Sequence, residues 1–342
     1  MMSDSGREIV PSTVWHDSVK TAFEFNHPDA VVAIAWSPDG RRIGTVDLAQ
    51  GNNLWDLNTN TRLFRIKKHD FTDNVMAFTP DGKYLIVRAL GEDRSESLSI
   101  LDAKDGNSTR TINGPLPAGD NNRPAMLVLT ADGRYLVMQP RHNGSPLVVY
   151  DTSDWSVAKT ADRLFPGVIA ASPDSKTLAI AGVIGDIRFC SLPSLTCEEP
   201  FQAFPGMRIQ ALAFSPDGRR LYSAIQNTVG PPPFEFDNET LQLAKHRMIR
   251  VFDVATHSQV GAVEGVFPKG IYGLAVHPDG DVLAVAAGSG EGFLVDTHDF
   301  SIIQKLIVPG GNMHAVAFSP EGDLLAFGNH QGLSIFQPVN AK

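Results

Sequence analysis

The sequence predicts an all-β fold of seven repeated sheets, because one four-residue turn motif recurs seven times at nearly regular intervals. Three copies read Ser or Thr, Pro, Asp and Gly, and the other four differ from this pattern at one position each. The seven copies are Ser37-Pro38-Asp39-Gly40, Thr79-Pro80-Asp81-Gly82, Thr130-Ala131-Asp132-Gly133, Ser172-Pro173-Asp174-Ser175, Ser215-Pro216-Asp217-Gly218, His277-Pro278-Asp279-Gly280 and Ser319-Pro320-Glu321-Gly322. Successive copies are 42, 51, 42, 43, 62 and 42 residues apart. A period of about 40–45 residues is typical of a β-propeller with four strands in each blade. We therefore expect one seven-bladed β-propeller domain of antiparallel blades over residues 1–342.

The first repeat shows how four strands are encoded, and we name them a to d from the centre of the ring outward. Val32, Ile34 and Trp36 alternate with smaller residues in strand a, which is the period of a strand. Pro38-Asp39-Gly40 then turns the chain, because Pro presets φ and Gly accepts a positive φ. Strands b, c and d are predicted at residues 43–48, 52–57 and 62–66. The residue before each turn motif should be buried between blades; these residues are Trp36, Phe78, Leu129, Ala171, Phe214, Val276 and Phe318.

The two ends of the chain predict how the ring closes. The last repeat has only three predicted strands, at residues 313–319, 323–328 and 332–336. Residues 19–25, before the first repeat, have the pattern of a fourth strand without a blade. Pairing them with residues 333–336 would complete the seventh blade and close the ring, which removes the exposed edges that a linear array of blades would leave.

Composition and charge limit the kinds of function. The chain is 42% hydrophobic and 20% charged, which is typical of a soluble globular protein. Its formal net charge of −9 disfavours general nucleic-acid binding, which needs a basic face. The N-terminus lacks the pattern of a secretory signal, and no run reaches the length of an apolar membrane helix. We expect a cytoplasmic protein in which Cys190 and Cys197, although able to face each other across a hairpin, are reduced.

The Ser-Pro-Asp-Gly turns and the Trp55-Asp56 ending of a strand c resemble WD40 and WD40-like propellers over essentially the whole chain. Three features depart from the strict WD40 pattern: no Gly-His dipeptide opens a blade, only one blade carries Trp-Asp, and the Asp that WD40 blades place in the b–c turn is mostly missing. The buried Asp-His-Ser-Trp hydrogen-bond network of WD40 blades is therefore expected to be absent. The chain looks more like bacterial WD40-like, TolB-like or lactonase-like propellers.

That resemblance implies that the d–a loops and b–c turns share one rim of the central channel, which we call the loop-rich rim. The Pro-Asp-Gly turns then occupy the opposite rim. The extra residues of the two long steps fall in b–c and d–a connections, and long loops on a rigid scaffold are where binding residues concentrate. The candidate binding residues on the loop-rich rim are Phe234, Phe236, Arg123, Arg163, Arg208, Tyr272, His314 and His330.

Three loops on the same rim carry a Phe-Pro pair: Phe165-Pro166-Gly167, Phe204-Pro205-Gly206 and Phe267-Pro268-Lys269-Gly270. Their Phe side chains either pack beneath tight turns or line the rim for a peptide or a planar ligand.

Two functions remain open from the sequence. The first is a non-catalytic interaction module, or scaffold, that binds a protein or peptide partner on the loop-rich rim. The alternative is a lactonase-like or hydrolase-like enzyme with its site at the channel mouth, where the polar candidates form a mixed ring. Common metal, nucleophile and dinucleotide motifs are missing from the sequence, so we expect no cofactor and no metal. We further expect a monomer without nucleic-acid or membrane partners, with a small-molecule ligand in the channel as an open possibility.

Overall fold

A computed structural model of the protein describes residues 8–27, 29–48, 51–67, 76–90, 96–113, 126–139, 146–161, 166–182, 184–229, 248–265, 267 and 269–339. These residues form seven antiparallel sheets, and each sheet has four strands side by side, with the outermost strand of one sheet divided in two. The innermost strands of neighbouring sheets contact each other around a complete ring. The predicted seven-bladed β-propeller is therefore confirmed.

The strands follow one another blade by blade. Blade 1 comprises β2 (Val31–Trp36), β3 (Arg42–Asp47), β4 (Gly51–Asp56) and β5 (Thr61–Lys67). Blade 2 comprises β6 (Met76–Phe78), β7 (Tyr84–Leu90), β8 (Glu96–Asp102) and β9 (Ser108–Asn113). Blade 3 comprises β10 (Met126–Leu129), β11 (Tyr135–Gln139), β12 (Leu147–Asp151) and β13 (Ser156–Ala161). Blade 4 comprises β14 (Pro166–Ala171), β15 (Thr177–Gly182), β16 (Asp186–Ser191) and a divided outer strand, β17 (Thr196–Cys197) and β18 (Phe201–Gln202).

The remaining blades repeat the order. Blade 5 comprises β19 (Met207–Phe214), β20 (Arg220–Val229), β21 (Ile249–Asp253) and β22 (Gln259–Val263). Blade 6 comprises β23 (Ile271–Val276), β24 (Val282–Ala287), β25 (Glu291–Asp296) and β26 (Ile302–Ile307). Blade 7 comprises β27 (Met313–Phe318), β28 (Leu325–Asn329), β29 (Gly332–Pro338) and, as its outer strand, β1 (Val19–Asn26).

The ring closes as the sequence predicts. Strand β1 pairs antiparallel with β29, with Thr21 opposite Phe336, Phe23 opposite Ile335 and Phe25 opposite Leu333. The seventh blade thus contains chain from near both ends of the sequence, and its outer strand comes from the first twenty-six residues.

A short 3₁₀ helix, η1 (Ser12–His16), precedes β1 and was not predicted. Trp15 is fully buried, and its Nε1 donates a hydrogen bond to the carbonyl oxygen of Gly322 over 2.8 Å. The amide of Ser12 donates to Asp279 Oδ2 over 2.6 Å. The segment therefore packs against the turn motifs of blades 6 and 7.

The recurring motif is explained by hydrogen bonds inside each turn. In the first copy, the Ser37 hydroxyl donates to Asp39 Oδ1 over 2.6 Å and accepts from the Arg42 amide over 2.9 Å. Burial alone would raise the pKa of Asp39, but the bonds from Ser37 and the Arg41 amide, with nearby Arg charges, hold it below its ordinary value. The hydroxyl and the carboxylate together fix the turn, which is why both recur.

The Gly of the motif is explained by contact between blades. Gly133 has φ +70°, and a Cβ added there would lie 2.5 Å from Cδ of Pro80 in the preceding blade's turn. A Gly also faces the preceding blade's Pro at Gly82–Pro38, Gly218–Pro173 and Gly280–Pro216, where an added Cβ would lie 3.5–3.6 Å from the ring, an ordinary contact distance. In blade 4, Ser175 occupies the Gly position with φ +62°, and its hydroxyl accepts a bond from the Asp132 amide over 3.0 Å. The turns thus form a chain of contacts along the rim opposite the loop-rich rim.

The expectation that the residue before each turn motif is buried was wrong for most blades. Among the residues before the turns, Phe78 is buried, but Trp36, Leu129, Phe214, Val276 and Phe318 are only half-buried. These residues lie on the innermost strands, which face the channel on one side, and they pack against the core with the other.

The cysteines also differ from expectation. Cys190 and Cys197 are joined by a disulfide, because they lie directly opposite each other on the antiparallel strands β16 and β17.

In the part of the chain that the structure describes, no helix has the length and apolar character needed to cross a membrane.

Candidate functional site

A β-bulge recurs near the start of strand a, where the strand enters from the loop-rich rim. Each bulge leaves one residue unpaired, four positions before the last residue of strand a. The unpaired residues are Val32, Gly167, Gln210, Tyr272 and His314. Bulges re-aim side chains and are common beside functional sites, so these positions on five of the seven blades form a variable set where strand a begins.

Three of the predicted candidates come together on blades 6 and 7. The rings of Tyr272 and His314 meet edge to face with centroids 5.7 Å apart. The ring of His330, in the turn between β28 and β29, lies 4.9 Å from that of His314. The backbone amide of His330 donates to the carbonyl oxygen of Asn312 over 3.2 Å, which ties this turn to the loop before β27.

Two polar residues extend this group. Lys269 Nζ donates to Asn312 Oδ1 over 3.4 Å, linking the loops that precede β23 and β27. The five residues Lys269, Tyr272, Asn312, His314 and His330 are called the mouth cluster below.

His314 is the most unusual member of the mouth cluster. Its Nε2 is buried and has no hydrogen-bond partner, although buried polar atoms are nearly always paired. Burial lowers the pKa of His314 below its ordinary value, and the neighbouring His330 lowers it further, while Asp29 acts in the opposite direction. The imidazole of His314 is therefore neutral near pH 7.

The other predicted site residues do not join this cluster in the described part of the chain. Arg208 lies exposed on blade 5, two residues before the bulge residue Gln210. Phe234, Phe236, Arg123 and Arg163 lie outside the described residues, so their role in binding stays a prediction.

The structure shows the position of the Phe side chain in two of the three Phe-Pro loops. Phe204 and Phe267 are each 1% exposed, so they do not line the rim. The turns above them are closed by bonds from the Met207 amide to the Phe204 carbonyl and from the Gly270 amide to the Phe267 carbonyl. Phe165 lies outside the described residues.

A buried polar network in blade 1 corrects another expectation. His27 Nδ1 lies 3.1 Å from Asp47 Oδ2, and Asn53 Nδ2 donates to the same oxygen over 3.0 Å. Trp55 Nε1 donates to Thr45 Oγ1 over 3.2 Å beside them. These residue types match the Asp-His-Ser-Trp network of WD40 blades, but His27 Nε2 is buried without a hydrogen-bond partner, so the histidine is bonded to Asp47 and not to Thr45. The network expected to be absent is therefore present only in part. The sequence analysis did not indicate this partial network, because Asn26 stands where WD40 blades have Gly before the histidine, and because Asp47 ends strand b instead of lying in the following turn.

The opposite rim carries a cleft of about 700 Å³ between blades 5 and 6. Its lining includes the carboxylates of Asp217 and Asp253. Both already accept hydrogen bonds from their own turns, through Ser215 and Thr256 respectively. Among the described residues, no three His, Cys, Asp or Glu side chains are grouped to hold a metal ion.

No family model matches the chain. It is 24% identical over 221 residues to protein hir1 of Schizosaccharomyces pombe, covering 57% of this chain and 22% of hir1. It is 33% identical over 98 residues to the WD repeat-containing protein VIP3 of Arabidopsis thaliana, covering 25% of this chain and 30% of VIP3. These matches and the seven-bladed ring support a WD40-like propeller. Each match spans less than a third of the relative's length, and the closer likeness to bacterial WD40-like, TolB-like or lactonase-like propellers stays a prediction.

Proposed function

We propose that this WD40-like propeller is a non-catalytic interaction module that binds a protein or peptide partner on its loop-rich rim. The observation that carries the proposal is the recurring bulge, which varies its side chain from blade to blade at the mouth of an otherwise regular ring. A rigid frame with variable rim positions suits recognition of a partner. The similarity to a WD repeat-containing protein supports the same reading.

The long connections add to this argument. Strand β20 ends at Val229 and β21 begins at Ile249, and both of these strand ends belong to the loop-rich rim. The intervening sequence contains Phe234 and Phe236, two aromatic residues of the kind that anchor partners.

The enzyme alternative rests on His314. A neutral imidazole with an unpartnered Nε2 at a channel mouth has the chemistry of a general base. Hydrolysis of simple lactones or aryl esters by the purified chain, abolished by His314→Gln, would favour this alternative over the interaction module.

The partner proposal is tested by replacing the two rim aromatics. We expect Phe234→Ser with Phe236→Ser to weaken binding of captured partners by roughly 2 kcal/mol or more if both are anchors. If both side chains are exposed, stability should change by no more than about 0.5 kcal/mol, because surface substitutions are usually that mild. Partners are identified by cross-linking and mass spectrometry with the intact chain, and thermal unfolding is measured in parallel.

A matched control pair is available on the opposite side. Val157 and Val260 are each 47% exposed and begin outer strands at the rim of Pro-Asp-Gly turns. Replacing both with Ser should leave partner binding intact. Equal loss of binding in the two pairs, or lost stability with intact binding in the Phe pair, would contradict the proposal.

The remaining expectations about the working protein stay predictions: a monomer, no nucleic acid, no membrane, no cofactor, no metal, and an optional small-molecule ligand in the channel. The cytoplasmic location also stays a prediction, and the Cys190–Cys197 disulfide weighs against it, because disulfides persist mainly in oxidising compartments.

A further inference from the structure

We propose that the mouth cluster is a subsite for the carboxylate of an acidic side chain, Asp or Glu, carried by the bound partner. The inference rests on the proposed interaction function and names the chemistry that this part of the rim recognises.

The first argument is the unpaired nitrogen of His314. A buried polar atom without a partner is costly, and such an atom in a native fold calls for an explanation. Nε2 of His314 is such an atom, and its residue is a bulge residue at the channel mouth. A ligand that accepts a hydrogen bond from Nε2–H would remove the cost.

The second argument is the kind of group that surrounds this nitrogen. His330 and Lys269 are exposed and can donate from ring nitrogens and an ammonium group, respectively. The two imidazole rings lie 4.9 Å apart, and Lys269 is tied to the cluster through Asn312. A carboxylate has two acceptor oxygens, so it can accept from both imidazoles at once, and charge-assisted bonds of this type are strong.

The third argument is that the nearby carboxylates of Glu291 and Asp29 accept hydrogen bonds from other residues, so the mouth cluster can accept a carboxylate from a partner. Glu291, in the adjacent turn of blade 6, is paired with Lys305 and accepts from the Ser289 hydroxyl. Asp29, on the loop before blade 1, acts on His314 only through its charge and accepts from the Ala30 amide. The mouth cluster itself contains donors and no acid.

This chemistry gives a definite pH dependence. The groups around His314 are His330 on its own blade, Tyr272 from blade 6 and Asp29 from blade 1, with Lys269 linked to the cluster through Asn312. His314 without ligand is neutral near pH 7, because its pKa lies below its ordinary value. A bound carboxylate favours the protonated imidazole, so binding near pH 7 takes up a proton. Affinity should therefore increase as the pH falls, by up to about tenfold per pH unit, until His314 is already protonated without ligand.

The test uses the full chain with ¹³C-labelled histidine and three short probes. The probes are acetyl-Gly-Glu-Gly-amide, the matched acetyl-Gly-Gln-Gly-amide, and acetyl-Gly-Gly-Gly with a free carboxyl terminus. Ring signals of His314 and His330 are assigned with His314→Gln and His330→Gln and followed from pH 5 to pH 8. We expect the Glu probe to shift both signals and to raise the pKa of His314, with tighter binding at pH 5.5 than at pH 7.5, and the Gln probe to do neither.

Each of the other possible results of this experiment would overturn the proposal or replace its ligand. Equal shifts with the Glu and Gln probes, or binding that does not change with pH, would overturn the proposal. A response to the free carboxyl terminus alone would replace the side-chain carboxylate with a chain end as the ligand. A response that requires added Zn²⁺ would overturn the carboxylate in favour of a metal.

Controls separate this inference from general damage and from the proposed function. His298→Gln removes an exposed histidine on the opposite rim and should leave probe binding unchanged. His330→Gln changes an exposed residue and should preserve the thermal midpoint while reducing Glu-probe affinity several-fold. If the Phe234 and Phe236 variants lose partners but the Glu probe fails to bind, only the carboxylate subsite is wrong. If the Phe variants keep every partner, the interaction proposal for that rim fails independently of the probe.

Discussion

At the residue scale, the turn motif combines a local requirement with a long-range one. The Ser hydroxyl and the Asp carboxylate hold each turn through bonds within six residues, so sequence alone reveals them. The Gly is needed for its positive φ in every copy that contains it and, at Gly133, for a second reason: the ring of Pro80 in the preceding blade occupies the space of a side chain. The second reason is invisible in the sequence, because the Pro lies about one repeat away.

Comparing two glycines separates these reasons. Gly133 has φ +70° with Pro80 2.5 Å from an added Cβ, whereas Gly311 has φ +78° with no atom within 4 Å. We expect Gly311→Ala to cost about 1–2 kcal/mol, the strain of a left-handed backbone. Gly133→Ala should cost a further 1–3 kcal/mol, because the blades must move apart or the rigid Pro ring must shift. Urea unfolding of both variants measures the difference, and equal losses would show that contact between the turns is unimportant.

At the element scale, prediction succeeded where one strand follows another and failed where distant segments meet. The strand order, the number of blades and the closure by β1 all follow from motif spacing and period-2 patterning. The packing of η1 did not, because Trp15 is buried by residues about 300 positions away. The blade 1 network and the mouth cluster likewise depend on side chains brought together by neighbouring strands or blades. The sequence could propose Tyr272, His314 and His330 as candidates, but not the contacts between them.

The disulfide belongs to this scale, since it joins two strands of one hairpin. Cys190 and Cys197 are seven residues apart, and closing so short a loop in the unfolded chain is worth about 2 kcal/mol in the loop-entropy model. We expect reducing agent to lower the unfolding free energy of the wild type by about that amount. The Cys190→Ala, Cys197→Ala double variant should show no response to reductant. Free thiols detected by mass spectrometry in protein purified without reductant would contradict the bond.

At the scale of the whole molecule, the ring depends on its N-terminal segment. Strand β1 supplies the outer edge of blade 7, and η1 covers the turns of blades 6 and 7. Because β1 covers β29 and η1 packs on the turns of two blades, removing either element should affect more than its own residues.

Two truncations distinguish the roles of the two elements. Deleting residues 1–17 removes Trp15 and should cost about 3–5 kcal/mol, the usual effect of losing a buried Trp side chain. Deleting residues 1–26 also removes β1, exposes the edge of β29, and should cause aggregation as well as a larger loss of stability. Thermal unfolding and light scattering report the two effects. A full thermal midpoint after the longer deletion would contradict closure by β1.

Closure by β1 also sets the order of events during synthesis. Among the strands of this ring, β1 leaves the ribosome first and pairs with β29, which leaves last, since Val19 lies opposite Pro338. At roughly 5–20 residues per second, β1 waits on the order of 15–60 s for its partner. During that interval Phe23 and Phe25 lie on an unpaired strand, which is the condition under which nascent chains associate wrongly or recruit chaperones. The six complete blades can form as they emerge, but the molecule becomes a ring only after translation has passed β29.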